Sequence, residues 1–365
     1  MKLGIVGLPN IGKSTLFNAL TQAKAEAANY AFSTVTPNTG VVTVPDARLD
    51  KLAAMYKPKK KTPAAIEFVD IAGLVKGSSR GEGLGNKFLA YIREVDALVH
   101  VLRCFEDDNV LHVSGRIDPV SDAETVNLEL ILADMETVQR RGERAAKMIK
   151  SGEKRYAEEA ETASILLGHL EGEQPARTCP LTEAQRAIAR EWFLLTARPT
   201  LYAVNIGEDM LDIPENELPG VAALKSLAAK EGAQVFVIAA RLEEEIARLE
   251  PEEKAEFLND LGIRRSGLER LVEASYSLLG LISFLTAGPE EVRAWTIRSG
   301  TKAPQAAGKI HSDLERGFIR AEIVPYETLI EKGSMAACKE LGLVRSEGRE
   351  YVMKDGDVTL IRFNV

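Results

Sequence analysis

Residues 7–14 read Gly-Leu-Pro-Asn-Ile-Gly-Lys-Ser, and a threonine follows them. This stretch fits the pattern G-x-x-x-x-G-K-[ST], in which glycines let the main chain turn tightly and point its N–H groups at a phosphate. The lysine of the pattern reaches the β- and γ-phosphates, and the serine hydroxyl binds Mg²⁺. An apolar run at residues 2–7 precedes the stretch and a helical pattern at 13–20 follows it, so a helix N-terminus is expected beside the phosphates. The residues expected to bind a nucleoside triphosphate are Asn10, Ile11, Gly12, Lys13, Ser14 and Thr15, and Lys13 is also expected to act in catalysis.

Short apolar runs that alternate with helical patterns continue through much of the chain. Further strands are predicted at 40–44, 65–70, 97–103, 200–205 and 234–239, and helices at 85–95 and 221–232. Nearly continuous apolar strands of this kind are typical of a parallel sheet that is covered on both faces. The sequence therefore predicts an α/β doubly wound fold, with a nucleotide-binding domain made of residues 1–121 and 200–280.

Two other segments depart from this pattern. In residues 122–199, apolar side chains recur at helical spacing from Val126 to Val138, and a second helical run at 182–196 follows a turn region at 168–180. These two runs predict an inserted antiparallel helical hairpin, with two ordinary surface helices as the alternative, because the insert far exceeds the usual loop of about 4–6 residues.

Residues 281–365 predict a separate α+β domain, with strands at 281–287, 292–297, 318–323, 350–354 and 358–364 and helices at 305–315 and 327–332. The lysine-rich residues 57–61 are expected to form a solvated loop.

Charge is unevenly distributed along the chain of 365 residues. With 46 Lys and Arg against 54 Asp and Glu, the net charge is −8. Residues 206–279 carry 8 basic and 16 acidic groups, whereas residues 1–100 carry 13 basic and 8 acidic groups. Because attraction to phosphate requires positive charge, this balance excludes a generally basic nucleic-acid-binding protein, and any RNA contact is expected to come from a local patch.

The cysteines and the hydropathy pattern argue against a metal-stabilised, a disulfide-stabilised and a membrane-spanning protein. Cys104, Cys179 and Cys338 lie far apart, which argues against a structural zinc site and against a disulfide framework. No apolar run approaches the roughly 18 residues that a membrane span needs. We expect a soluble cytoplasmic protein with reduced thiols and no membrane partner.

A second element of a phosphate site is Asp70-Ile71-Ala72-Gly73, at the end of a predicted strand. In this position Asp70 can hold Mg²⁺, and the Gly73 N–H can contact a γ-phosphate during catalysis. In the loop at 32–38, Thr34 can complete the Mg²⁺ coordination when a triphosphate is bound, with Thr36 as the alternate candidate. A purely structural turn is the rival interpretation of that loop.

The base-binding element is predicted at Asn205-Ile206-Gly207-Glu208, after the predicted strand at 200–205. GTPases carry Asn-Lys-x-Asp here, and their aspartate accepts hydrogen bonds from guanine N1–H and from the guanine amino group, neither of which adenine offers. In this chain Ile206 replaces the lysine and the longer Glu208 replaces the aspartate. Both changes should weaken the recognition of guanine, because a site built to satisfy guanine's donors discriminates strongly.

The motifs resemble those of the YchF subfamily of Obg-related P-loop proteins, the Obg-like ATPases, over essentially the whole chain. The resemblance rests on residues 7–15, 70–74 and 205–208 and on Phe-Ser-Thr-Val-Thr-Pro-Asn-Thr-Gly-Val-Val at 32–42. It implies that a helical coiled-coil domain interrupts the nucleotide-binding domain and that a ubiquitin-like TGS domain of the β-grasp type follows. It also implies a preference for ATP and association with the large ribosomal subunit or ribosomal RNA. Related GTPases contact the base through a Ser-Ala-Lys/Arg loop, of which only a main-chain contact at Ala240 carries over.

Hydrolysis is expected to be slow. Leu74 stands where Ras-like proteins keep a water-orienting glutamine, and an apolar side chain cannot orient water. Asn10 stands where some related NTPases hold a K⁺ ion, which can supply the positive charge of an arginine finger. By resemblance, His112 corresponds to a histidine proposed for catalysis in the family.

The leading interpretation is a monomeric, Mg²⁺-dependent ATPase that couples its nucleotide state to the binding of ribosomes or RNA. One alternative is a GTPase of the same fold and role. The other is a P-loop kinase that phosphorylates a small molecule, which would need an Arg-rich lid and an acceptor pocket for which we find no pattern in the sequence.

Overall fold

The computed structural model describes residues 1–22, 38–71, 84–107, 110 and 115–364. The chain forms two compact units, one of Met1–Val41 with Glu67–Leu271 and the other of Val42–Ile66 with Val272–Val365. The predicted helical insert belongs to the first unit, whereas residues 42–66, expected in the nucleotide-binding domain, group with the C-terminal part of the chain. The expected division into three domains, with boundaries at 121, 199 and 280, stays a prediction.

The secondary structure of the described residues alternates strands and helices. The strands, β1 to β12, are Lys2–Val6, Thr39–Thr43, Lys60–Thr62, Ala65–Asp70, Ala97–Arg103, Thr200–Asn205, Gln234–Ile238, Leu281–Ala287, Glu291–Arg298, Phe318–Pro325, Arg345–Glu347 and Asp357–Phe363. The α-helices, α1 to α14, are Lys13–Gln22, Ala47–Tyr56, Leu84–Arg93, Pro119–Met148, Lys154–Glu171, Glu183–Arg190, Val221–Glu231, Ala240–Ile246, Pro251–Asp260, Gly267–Leu278, Ala303–Ile310, Ser312–Arg316, Tyr326–Lys332 and Met335–Glu340. Three short 3₁₀ turns lie at Ile149–Ser151, Ala176–Thr178 and Glu208–Met210.

One six-stranded sheet has the order β2-β4-β1-β5-β6-β7. β1 pairs with β4 and β5, and β6 pairs with β5 and β7, all in parallel. Every residue of β5 and β6 is buried, as expected for strands that are covered on both faces. The predicted α/β doubly wound fold is confirmed, and each predicted strand of this sheet lies within one residue of its observed bounds.

The helical insert contains a hairpin of α4 and α5. Asp118 caps the first helix by accepting a hydrogen bond from the Ser121 main-chain N–H at 3.1 Å. A short connection ends at Gly152, which has a left-handed φ of 81°. Because residues 149–153 leave so little chain between the helices, the helices must run antiparallel, and Val138 of α4 shares an apolar core with Leu166 of α5.

The expected position of the hairpin turn is wrong. We predicted the turn at 168–180 and the second helix at 182–196, but the turn lies at 149–153 and the second long helix is α5. Gly168 lies inside α5, where a Cβ would meet nothing within 4 Å, so this glycine marks no break. Residues 182–196 hold only the short helix α6 and turns. Coiled-coil geometry for the pair stays a prediction.

The second sheet belongs to the second unit and has the order β11-β10-β12-β8-β9-β3. Its apolar core joins Phe284 of β8 to Ala306 of α11 and to Ile323 of β10. This confirms an α+β segment after residue 280. A TGS fold for it stays a prediction.

Three predictions for the second unit are wrong. Residues 350–354 form no strand but only an isolated bridge between Lys302 and Val352. The helix expected at 305–315 is broken into α11 and α12, because His311 has extended dihedral angles, φ −161° and ψ 144°. The lysine-rich residues expected as a loop include β3, which pairs in parallel with β9, so that Lys60 lies opposite Glu291.

A buried polar network, here called the root network, ties the helical insert to the first sheet. It comprises Asn127 of α4, Arg177, Tyr202 of β6 and Glu231 of α7. The Glu231 carboxylate accepts hydrogen bonds from Asn127 Nδ2 (2.9 Å), from Arg177 Nη2 (2.9 Å) and from the Tyr202 hydroxyl. Each buried polar group of this network therefore has a partner, as a low-dielectric interior requires.

The structure also shows the state of the three cysteines and whether a helix could span a membrane. Cys104, Cys179 and Cys338 are buried and form no disulfide, and burial raises the pKa of the Cys104 thiol to about 12. In the described ranges, no helix is both long enough and apolar enough to cross a membrane.

Candidate functional site

The phosphate-binding loop leaves the C-terminal end of β1, which lies between β4 and β5 in the sheet, while the next strand along the chain, β2, is at the sheet edge beyond β4. Such a reversal of strand order opens a crevice at the carboxyl edge of a doubly wound sheet. Gly7 has φ 153°, and a Cβ there would lie 2.7 Å from the Val101 carbonyl oxygen. Gly12 has φ 86°, and a Cβ there would collide with the side-chain amide of Asn205. The two glycines of the pattern are thus required by the backbone, as predicted.

Three predicted ligands lie together at the start of α1. Asn10 has a left-handed φ of 62° and is exposed, Ser14 is exposed in the first helical turn, and Thr15 is partly exposed. The helix begins at Lys13, so its free N–H groups face the crevice. Ile11 differs, because its side chain is only 1% exposed and packs in the core. The contribution of Ile11 to ligand binding is therefore limited to its main chain.

Lys13 and Asp70 form an ion pair across the crevice. The Nζ atom of Lys13 bonds to Oδ1 of Asp70, and the two side chains are only 10% and 12% exposed. The strand β4 brings Asp70 there, because it lies beside β1 with Asp70 opposite Ile5. The sequence predicted both residues for one site, as a phosphate ligand and a metal ligand, but it gave no sign that they bind each other.

Asn205 links two loops of the site. Its Nδ2 donates to the carbonyl oxygen of Ile11 at 3.0 Å, and its Oδ1 accepts from the Ala240 N–H at 2.9 Å. Its side chain is buried, since the residue is only 4% exposed. Both polar ends of this amide are therefore used to hold the phosphate-binding loop against the start of α8. The Ala240 N–H, predicted as a main-chain contact to the base, is already engaged by Asn205.

The two residues that depart from the guanine-binding pattern have different surroundings. Ile206 is 6% exposed and packs in an apolar core with Val204 and Leu242. Glu208 is exposed in a 3₁₀ turn, with its carboxylate 3.9 Å from the exposed Arg241 guanidinium. Of the two, Glu208 is the side chain that a base could reach, whereas Ile206 has a packing role.

Arg103, at the end of β5, is a residue that the sequence argument missed. Its guanidinium donates to the carbonyl oxygens of Phe105 (3.0 Å) and Val110 (2.8 Å) and lies 4.5 Å from the Phe105 ring centroid, although the residue is only 2% exposed. Arg103 therefore holds the main chain at Phe105 and Val110, the residues that follow β5. The available signal was a single cation at the end of an otherwise apolar strand.

Five residues singled out in the sequence lie outside the described residues, namely Thr34, its alternate Thr36, Gly73, Leu74 and His112. Two hard oxygen donors proposed for Mg²⁺, Ser14 and Asp70, are described. Both lie at the carboxyl edge of the sheet, beside Lys13. Hydroxyl and carboxylate oxygens are the ligands that Mg²⁺ prefers, so the donor set fits this ion.

Two segments of the chain match known families. Residues 2–144 match the family described as "50S ribosome-binding GTPase". Residues 281–364 match the family of C-terminal domains of YchF GTPases, whose description reads "Protein of unknown function".

Similar full-length proteins come from bacteria and yeast. The "Ribosome-binding ATPase YchF" of Bacillus subtilis (strain 168) is 57% identical over 362 residues, which cover 99% of each chain. The protein of the same name from Escherichia coli O157:H7 is 50% identical over 364 residues, covering 100% of this chain and 99% of that one. The solved "Structure of the Schizosaccharomyces pombe YchF GTPase" superposes with a TM-score of 0.87 at 36% identity, over 99% of this chain and 97% of that chain.

Proposed function

Since the chain belongs to the YchF family of P-loop proteins, we propose that it hydrolyses a nucleoside triphosphate and thereby switches its association with the ribosome. The observation that carries this proposal is the phosphate-binding loop, with Lys13 and Asp70 at its centre. The bacterial relatives are named ribosome-binding ATPases, which supports the ribosome, through its large subunit or its RNA, as the partner. A ribosomal partner also supports a cytoplasmic location. The monomeric state stays a prediction.

The proposed nucleotide is ATP. The exposed Glu208 stands where guanine-binding proteins use an aspartate, and the adjoining Ile206 is buried in the core, so no lysine stem covers the base. GTP is the second candidate, since the yeast protein of similar structure is named a GTPase. The deciding experiment titrates wild type and Glu208→Asp with ATP and GTP. We expect tighter ATP binding by wild type and a shift toward GTP in the variant, whereas tighter GTP binding by wild type would refute the assignment.

Mg²⁺ would be held by Ser14 and Asp70, with Thr34 as the third proposed protein ligand. When bound, this ion neutralises charge on the phosphates. The protein's own groups act beside it. The main-chain N–H groups at the start of α1 and the Lys13 ammonium stabilise negative charge on the β- and γ-phosphates, and the Gly73 N–H is proposed to contact the γ-phosphate.

Turnover is proposed to be slow, because Leu74 cannot orient water. Asn10, which is exposed on the phosphate-binding loop, is proposed to recruit K⁺. Comparing ATPase rates in KCl and NaCl for wild type and Asn10→Ala tests this step. Equal rates for wild type in the two salts would exclude it.

His112 is the other candidate for a role in hydrolysis. Its replacement by alanine should leave ATP affinity unchanged and lower turnover. Arg103→Lys is a useful companion, because it retains the charge but loses the fork that holds the carbonyl oxygens of Phe105 and Val110. Unchanged turnover in His112→Ala would remove the histidine from the mechanism.

A further inference from the structure

The tip of the helical hairpin, defined as residues 140–155, is strongly basic in an acidic protein. It contains 7 basic and 2 acidic residues, whereas the whole chain has a net charge of −8. The basic side chains of this segment are exposed. Positive charge is therefore concentrated where the hairpin extends into solvent.

The cations of α4 occupy the face that is turned away from α5. On the inner face, a Cβ at Gly142 would lie 2.9 Å from the Cβ of Ala163, which shows how closely the two helices approach each other. Residues three and four apart share one face of a helix, so Arg140, Arg144 and Lys147 form a row. Along the helix axis their spacing is about 6 Å and about 4.5 Å. The close helix packing keeps this row on the outside of the hairpin.

The end of this row is not neutralised by the protein itself. In the described part of the chain, Arg144 and Lys147 of the row and the neighbouring Arg141 and Lys150 take part in no ion pair, whereas Arg140 lies 3.8 Å from Glu136. At the base of the tip the situation differs, since Arg155 lies 2.7 Å from Glu159. The unpaired cations can therefore interact with an external anion at little cost to folding.

We infer that the hairpin tip binds the sugar-phosphate backbone of ribosomal RNA. The four unpaired cations of the tip complement closely spaced phosphates, and double-stranded RNA offers phosphates and 2′-hydroxyls along its wide, shallow minor groove. An anionic membrane fits less well, because a membrane-surface helix needs a long free apolar face. That of α4 is buried against α5, and Met148 and Ile149, which are exposed at the tip, form only a short apolar patch. The inference rests on the proposed function and deepens it, since it assigns the RNA contact to one surface.

The experiment compares three full-length proteins that all keep the nucleotide site. The tip variant is Arg141→Gln/Arg144→Gln/Lys147→Gln/Lys150→Gln. The control removes the same charge from exposed residues of α6 and α7, as Arg186→Gln/Arg190→Gln/Lys225→Gln/Lys230→Gln. Each protein is titrated with a fluorescent RNA duplex at several salt concentrations and pelleted with large ribosomal subunits in ATP and in ADP. ATP hydrolysis and the thermal midpoint verify that the variants are folded.

We expect the tip variant to bind the duplex at least about tenfold more weakly than the control, with a salt slope smaller by about one for each phosphate that the variant no longer neutralises. Equal duplex binding by the two variants would overturn the inference, as would a wild type that does not bind the duplex. If wild type does not bind the duplex but the tip variant alone loses ribosome pelleting, the tip contacts a ribosomal protein and the RNA assignment is wrong. If the tip binds the duplex but wild type does not pellet with ribosomes, the proposed function and the ribosomal source of the RNA are refuted, whereas the assignment of an RNA-binding surface to the tip stands.

Discussion

The phosphate-binding loop and the root network each contain one ion pair of nearly the same exposure, yet the two pairs are supported differently. The side chains of Lys13 and Asp70 are 10% and 12% exposed, and those of Arg177 and Glu231 are 11% and 9% exposed. Glu231 also accepts hydrogen bonds from two further side chains, whereas within the described residues Asp70 bonds through its carboxylate only to Lys13. Burial alone therefore does not distinguish a functional pair from a structural one.

The two ion pairs differ in whether a bound ligand can take the place of the partners. A triphosphate with its metal ion can replace both partners of the pair at the phosphate-binding loop, since each partner gains an opposite charge when the other leaves. The Glu231 carboxylate is held by three protein side chains from separate parts of the chain, so the root network should be lost only by unfolding or by mutation. The first pair should control activity and the second should control stability.

The largest expected effect is on turnover. Lys13→Ala should lower the ATP turnover by about 100-fold or more, because it removes a preorganised positive charge from the transferring phosphate. The same variant should lower the free energy of unfolding by less than Glu231→Gln does, because Asp70 loses a single contact whereas Glu231 has three side-chain partners. Steady-state hydrolysis and urea unfolding measure the two effects. Lys230→Ala, on the exposed end of α7, is the control.

The opposite pattern is expected at the root network. Glu231→Gln keeps the size of the side chain but leaves Arg177 without its carboxylate, and we expect a loss of about 3 kcal/mol in the free energy of unfolding. Turnover at a temperature where the variant is folded should stay within about twofold of wild type. Glu183→Gln, which breaks the exposed pair with Arg190, should cost less than about 1 kcal/mol. A stable Glu231→Gln protein with impaired turnover would contradict the comparison.

His100 sharpens the comparison through pH, because its ring lies 5.5 Å from the ring of Tyr202 in the root network. Burial first, and the nearby Arg177 charge second, lower the pKa of His100 from 6.5 to about 3. Below pH 6.5 the unfolded chain therefore binds a proton that the folded chain does not, and stability falls with pH until it reaches the folded pKa. Between pH 7 and pH 5 this loss amounts to about 2 kcal/mol.

His100→Phe removes this contribution while keeping an aromatic ring. Urea unfolding at pH 7 and pH 5 should show a smaller loss of stability for the variant than for wild type, and replacing the exposed His311 by Gln serves as the control. Burial raises the pKa of Asp134 and of Glu243, which favours the folded state as pH falls, so only the difference between variant and wild type is diagnostic. An identical loss in wild type and His100→Phe would show that His100 is charged in the folded protein.

The first sheet could be predicted from the sequence because its strands are buried on both faces. β5 and β6 are apolar nearly throughout and only 7 and 6 residues long, and short runs of this kind indicate buried parallel strands. The turn of the hairpin could not be predicted in the same way. Gly168 suggested a break, but open space surrounds it within α5, whereas the actual turn follows a run of polar residues and ends at Gly152.

The candidate site was predictable where chemistry depends on local sequence and not where it depends on contacts across the fold. The glycines and Lys13 follow from a continuous motif, whose backbone geometry the structure shows. The links made by Asn205 join residues 11, 205 and 240, which only the order of the strands brings together. Glu231 likewise resembles any charged residue in the last turn of a helix until three partners surround it.

The smallest expected effect separates the two roles of Asp70, as the ion-pair partner of Lys13 and as a proposed ligand of Mg²⁺. Asp70→Asn keeps the size of the side chain but removes the charge that holds Lys13, so ATP without metal should bind more tightly, by roughly fivefold or about 1 kcal/mol. The gain in affinity on adding Mg²⁺ should shrink, because a metal ligand is lost. ATP titrations in EDTA and in Mg²⁺ measure both changes, with Asp50→Asn, an exposed carboxylate of α2, as the control. If wild type and Asp70→Asn bind metal-free ATP equally, the Lys13–Asp70 pair does not compete with the phosphates. The claim that a ligand replaces this pair, unlike the pair in the root network, would then be refuted.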